Sequence, residues 1–64
     1  LSPSRQLTRS QMALTQLQSE LMSLDTVANR RTNAGRNRLA QVTEQIAHVK
    51  RDVSRLKILE ARIA

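Results

Sequence analysis

Residues 7–63 carry an apolar or small side chain at every seventh position, and this repeat is the strongest structural signal in the chain. The series is Leu7, Leu14, Leu21, Ala28, Gly35, Val42, Val49, Leu56 and Ile63. An α-helix turns once per ~3.6 residues, so a seven-residue repeat gives an apolar stripe that drifts slowly around the helix. Helices with such a stripe bury it by winding around each other. The repeat therefore predicts an all-α chain that is built to meet another helix.

A second set of apolar residues lies three or four positions from the first, as a helix seam requires. The stripe swings to one side between Leu39 and Val53 and then returns, and such a broad stripe favours three or four helices over a dimer. We predict a long helix that forms an oligomeric coiled coil or helical bundle. Its predicted oligomer core is Leu7, Leu14, Leu17, Leu21, Leu24, Ala28, Leu39, Val42, Ile46, Val49, Val53, Leu56, Leu59 and Ile63.

Composition supports an association module and offers little for catalysis. The 64 residues include no aromatic side chain and are 39% hydrophobic, so one chain buries a small core and is expected to need oligomerisation. The chain has no Cys, and its single histidine, His48, is expected at the surface beside acidic neighbours. The few acidic residues are scattered along the helix. We therefore expect no metal, no cofactor and no enzymatic activity.

The ends of the chain are expected to differ in role. Residues 1–6 are interpreted as the end of a linker and residues 7–64 as the coiled-coil domain, with Ser2 as helix cap and Pro3 at the first helical position. Since the chain begins with Leu1 rather than Met, we expect a fragment or a processed product. No apolar run approaches the ~20 residues of a membrane span. A cytoplasmic location is expected.

The middle of the chain leaves two alternatives open. Residues 29–38 are rich in Asn, Thr and Arg and include Gly35, so they form the weakest helical stretch. A turn near Gly35 would make a hairpin that pairs Leu7 with Ile63, Leu14 with Leu56, Leu17 with Val53, Leu21 with Val49 and Leu24 with Ile46. A continuous helix with a stutter would instead make a rod of roughly 90 Å. We favour the continuous helix, in which Gly35→Ala would be stabilising.

Positive charge is concentrated in the same weak stretch. Arg30, Arg31, Arg36 and Arg38 contribute to a net charge of +6. They form a candidate patch for an acidic partner, although a solvated surface is the simpler interpretation. Nucleic acid is disfavoured because no aromatic residue can stack on bases.

The segment Arg55-Leu56-Lys57-Ile58-Leu59-Glu60 has the form of a trimerisation motif of parallel coiled coils. In this frame Arg55 and Glu60 flank the core and would form an interchain ion pair that sets register. With Val53 and Ile63, the motif resembles the C-terminal coiled coil of coronins, the actin-regulating β-propeller proteins. The resemblance covers residues 53–64. It implies oligomerisation, an attached actin-binding domain and association with the cytoskeleton.

These observations predict a homo-oligomerisation coiled coil, a homo-trimer or homo-tetramer, that gives a larger protein multivalency. The alternative is a monomeric basic helical hairpin that docks on an acidic protein, lipid or nucleic-acid surface.

Overall fold

The chain forms three helices and turns back on itself. A computed structural model describes residues 3–63, in which α1 spans Pro3–Leu24, α2 spans Val27–Arg31 and α3 spans Asn33–Ile63. The all-α prediction is confirmed, because helices are the only regular elements among the residues that the structure describes. Helix α1 begins at Pro3, so residues 3–6 are helical, while the proposed cap Ser2 lies outside the described residues.

Helices α1 and α3 run antiparallel and pack along their length. Ser4 Oγ donates a hydrogen bond to Glu60 Oε1 at 3.0 Å, and Glu20 near the other end of α1 pairs with Arg38. The molecule measures 48 × 15 × 14 Å, about half the length of a continuous helix. The continuous helix that we favoured is therefore wrong, and the chain is a helical hairpin.

The reversal is produced by two threonine caps rather than by the glycine. Thr26 is extended, with φ −118° and ψ 159°, and its side chain accepts a hydrogen bond from the Asn29 N–H. Thr32 is also extended, with φ −109° and ψ 149°, and its hydroxyl accepts from the Gly35 N–H at 2.9 Å. Each threonine satisfies a backbone donor that a helix start leaves without a partner. The two caps divide what would have been one helix into three.

Polar side chains complete the reversal on the α1 side. The Asp25 N–H donates to Leu21 O at 2.9 Å, while Asn29 Nδ2 donates to Leu24 O at 2.7 Å. Arg30 Nε donates to Asp25 Oδ1, also at 2.7 Å. The carbonyl groups at the end of α1 thus gain partners from the following residues. Asn and Asp, which favour caps and turns over helix interiors, stop α1 here.

Gly35 lies in the first turn of α3 and is buried. No glycine of the described residues has a positive φ, so Gly35 is not a turn residue. A Cβ atom built on it would lie 2.6 Å from Asn29 Cα and 2.7 Å from Asn29 C, and nearer still to Asn29 O. Only a residue without a side chain allows α2 to pass this close to α3.

The hairpin has a different register from the one centred on Gly35. The midpoints of its two outer pairs, Ser4–Glu60 and Glu20–Arg38, are Thr32 and Asn29. Leu17 lines a groove together with Val49. The two midpoints lie three and six residues before Gly35, so the partner of each residue moves by six to twelve residues. Apolar residues recur every three or four positions along each helix, so apolar contacts form in either register and the sequence pattern did not distinguish the two.

Candidate functional site

The predicted core residues divide into three groups in the hairpin. Val42, Ile46, Val53 and Leu56 are buried between the helices. Seven are half-buried, namely Leu7, Leu14, Leu17, Leu21, Leu24, Leu39 and Val49. Ala28 is exposed because α2 leaves the stripe, Leu59 is 39% exposed, and the side chain of Ile63 is outside what the structure describes. Their role as an oligomer core stays a prediction.

The two helices leave much of the stripe accessible. The solvent-accessible surface is 5008 Å², whereas a compact monomer of the same mass exposes about 4,100 Å². The radius of gyration is 14.7 Å, compared with about 11 Å for a compact domain of this length. One hairpin therefore covers one side of each helix only. We call the seven half-buried residues that border the four buried ones the open seam. They are Leu7, Leu14, Leu17, Leu21 and Leu24 on α1, with Leu39 and Val49 on α3.

A shallow groove follows the open seam near the middle of the molecule. Its volume is about 540 Å³. It is lined by Leu17, Gln41, Glu44, Gln45, His48 and Val49. His48 Nε2 lies 3.6 Å from Asp52 Oδ2 one helical turn away. The groove thus combines an apolar floor with polar rims, the arrangement expected where a further helix packs.

The predicted register pair does not form within one chain. Arg55 lies beside Asp52, with Arg55 Nη2 3.5 Å from Asp52 Oδ1. Glu60 accepts the hydrogen bond of Ser4 across the hairpin. Leu56, the first core residue of the motif, is buried against α1. An interchain pair of Arg55 with Glu60 stays a prediction.

The arginine patch at the reversal is largely committed to internal contacts. Arg30 pairs with Asp25 at 2.7 Å. Arg36 donates to the Arg30 carbonyl at 3.1 Å, where α2 ends. Arg38 pairs with Glu20 of α1. Three of the four arginines therefore stabilise the reversal, and the acidic partner predicted for this patch stays a prediction.

Most of the positive charge lies at the other end of the hairpin, which we call the terminal end: residues 3–10 of α1 and residues 50–63 of α3. It carries seven basic residues, Arg5, Arg9, Lys50, Arg51, Arg55, Lys57 and Arg62, and two acidic ones, Asp52 and Glu60. Arg9 and Arg55 line the same groove, so the two helices do bring these charges together. The sequence alone does not indicate this surface, because its two parts lie some 40 residues apart and only the hairpin joins them.

Two features are absent from the part of the chain that the structure describes. Residues 3–63 contain no group of three or more His, Cys, Asp or Glu side chains that could hold a metal ion. Within that range, too, every helix is too short or too polar to cross a membrane.

Comparison with known proteins adds no assignment. The chain matches no protein-family model, no curated protein and no solved structure.

Proposed function

We propose that the chain is a self-association module in which two hairpins pack their open seams together as a four-helix bundle. The carrying observation is the open seam itself: its seven leucine and valine side chains are only half-buried, whereas four large apolar side chains are buried. Four-helix bundles bury such stripes on all sides of one core. Each chain supplies two helices, so two copies are enough where a bundle of single long helices would need four.

Charge supports an antiparallel arrangement of the two hairpins. The terminal end accounts for a net charge of +5 out of the chain's +6, which leaves +1 for the rest of the molecule. A parallel pair would place both terminal ends side by side, and like charges held close together destabilise an assembly. An antiparallel pair separates them by most of the 48 Å length of the hairpin. Domains attached to the chain would then project from both ends of the bundle.

The coronin-like role is a further part of this proposal. Residues 53–64 support it through the motif from Arg55 to Glu60. If the attached domain binds actin, pairing two copies raises its avidity for a filament at the cytoskeleton. The motif is tested by a double-mutant cycle on Arg55 and Glu60, because within one hairpin these residues have other partners. An interchain pair needs the two terminal ends side by side, so a coupling of about 0.2–1 kcal/mol would indicate the parallel arrangement of the hairpins. No coupling would leave the antiparallel bundle without the coronin part.

Solution mass tests self-association. Light scattering should give twice the 7.2 kDa of one chain, and the melting temperature should rise with protein concentration because folding is linked to association. Leu17→Gln, in the open seam, should shift the protein to monomer. Met12→Gln is the matched control, since Met12 is 60% exposed on the same helix. A monomer mass with a melting temperature that is independent of dilution would contradict the proposal.

A monomeric hairpin that docks on an acidic surface is the second candidate. The observation in its favour is the hairpin itself, which one chain forms without a partner. The sequence pattern placed the docking surface on the arginines at the reversal, but most of these arginines already have partners within the chain. The mass measurement separates the two candidates directly.

A further inference from the structure

The positive charge of the terminal end includes one ordered row on α3. Arg51, Arg55, Ile58 and Arg62 follow one another at spacings of four, three and four residues, so they share one face of the helix. Val53 and Leu56, by contrast, lie on the face that is buried against α1. The row therefore points away from the hairpin interface and from the open seam that borders it. We call these four residues the outer row.

The outer row is exposed and contains an apolar residue among its charges. Ile58 is 57% exposed, although nothing in the hairpin requires an apolar side chain there. All three arginines are exposed as well, and Asp52 is the one acidic side chain that contacts Arg55 among the described residues. An apolar anchor surrounded by charged side chains that exclude water is the usual anatomy of a small binding site.

We propose that the outer row binds an acidic amphipathic helix of a partner protein. Eleven residues of α3 separate Arg51 from Arg62, which is about 16 Å or three helical turns. A partner helix of that length can place carboxylates opposite the arginines and an apolar side chain on Ile58. Arginine suits this role because its planar guanidinium binds carboxylates through two parallel hydrogen bonds. The surface leaves the open seam free, so partner binding and self-association can occur together.

Two other polyanions fit the surface less well. Nucleic acid offers phosphates to the arginines, but an exposed isoleucine gains nothing from a phosphate backbone, and the chain has no aromatic residue to stack on bases. A lipid bilayer is flat and rewards several apolar side chains on one face. The outer row supplies Ile58 alone. The combination of three arginines with one isoleucine therefore favours a protein helix.

A binding experiment with defined probes tests this proposal. The probe is a fluorescent helical peptide with Glu at positions i, i+4 and i+11 and Leu at i+7, titrated with the full chain and followed by anisotropy. Arg51→Glu should weaken binding by about tenfold or more, because it places like charges together. Ile58→Ser should weaken binding to the peptide, because the apolar contact is lost.

Arg31→Glu is the matched control, since it makes the same change of charge at an exposed residue of the reversal. It should leave the affinity for the peptide within about twofold, as expected for a distant charge screened by salt. Circular dichroism checks that each variant is helical, and Arg51→Gln replaces Arg51→Glu if the latter unfolds. Duplex DNA and vesicles of phosphatidylcholine with phosphatidylserine serve as competing probes.

Three results would overturn the proposal. The first is equal weakening by Arg31→Glu and Arg51→Glu, which would indicate a response to net charge only. The second is an Ile58→Ser variant that binds the peptide as well as the original protein. The third is binding to DNA or to the vesicles that is tighter than binding to the peptide. None of these results depends on whether the hairpin dimerises.

Discussion

Gly35 lies where the hairpin leaves no room for an added methyl group. In an ordinary helix, replacing Gly by Ala is favourable by about 1 kcal/mol. Here the new Cβ would lie 2.6 Å from Asn29 Cα and 2.7 Å from Asn29 C. Both are backbone atoms, so no rotation of a side chain can relieve the overlap. Steric repulsion therefore outweighs helix propensity.

We predict that Gly35→Ala lowers the free energy of unfolding by about 1–3 kcal/mol, the usual range for overpacking. Urea denaturation followed by circular dichroism measures the change. Ser54→Ala, at an exposed position of the same helix, is the control and should stabilise slightly. Stabilisation by Gly35→Ala would indicate that α2 does not approach α3, as in a continuous helix.

Thr32 is the residue that starts α3. Its hydroxyl accepts from the Gly35 N–H at 2.9 Å, and its carbonyl accepts from the Arg36 N–H at 3.0 Å. Thr32→Ala should lower the free energy of unfolding by about 1 kcal/mol, and Thr32→Ser should preserve most of it.

Thr43→Ala is the matched control for Thr32→Ala in the same denaturation experiment. Thr43 is exposed inside α3, and its hydroxyl donates only to the Leu39 carbonyl one turn back. Such bonds contribute little to a helix. If both alanine variants behaved alike, Thr32 would not be a cap.

At the scale of the helices, burial on α3 alternates sharply with exposure. Leu56 is 4% exposed, whereas Ile58, two residues along the same helix, is 57% exposed. Leu56→Ala should lower the free energy of unfolding by about 2–5 kcal/mol, the usual range for removing a buried leucine side chain. Ile58→Ala should change it by less than about 0.5 kcal/mol.

Thermal unfolding of these two variants at equal protein concentration measures the difference. Since a small hairpin has little stability to lose, Leu56→Ala is expected to be largely unfolded at room temperature. Equal melting temperatures for the two variants would mean that α3 does not pack on α1 through Leu56.

The helical character and the apolar faces of α1 and α3 could be predicted from the sequence, but the reversal between them could not. The seven-residue repeat from Leu7 to Leu24 and from Leu39 to Leu56 decides which faces of α1 and α3 are apolar. The break depends on Thr26 and Thr32, which are compatible with a helix interior as well as with a cap. In a stretch with two or three weak helix formers, the helical and turn conformations differ in free energy by only about 1 kcal/mol. Tertiary packing therefore decides which conformation forms.

The charged surfaces at the two ends of the hairpin also could not be predicted from local sequence. The arginines between Arg30 and Arg38 form an obvious cluster in the sequence, yet the hairpin brings Asp25 and Glu20 to them. At the terminal end, Arg9 and Arg55 are far apart in the sequence and line one groove. Local sequence predicts which side chains are exposed on one helix. It does not predict which charges meet once two helices pair.

The whole molecule is a short rod, and its length distinguishes the hairpin from a continuous helix better than any local property. Both forms are almost fully helical, so circular dichroism does not separate them. They differ in the distance between the ends of the chain. In the hairpin, Ser4 and Glu60 are hydrogen-bonded neighbours, while a continuous helix would place them more than 80 Å apart.

The most direct test is a distance measured by electron paramagnetic resonance between spin labels on Gln6→Cys and Ala61→Cys. Both positions are exposed, and the chain has no other cysteine. Labelled protein is diluted into unlabelled protein so that only distances within a chain are detected, and a pair on Gln6→Cys and Ser23→Cys, about 25 Å apart along α1, provides the calibration. Helices pack at 8–10 Å, so the hairpin predicts a distance below about 25 Å. A distance of about 80 Å would contradict it.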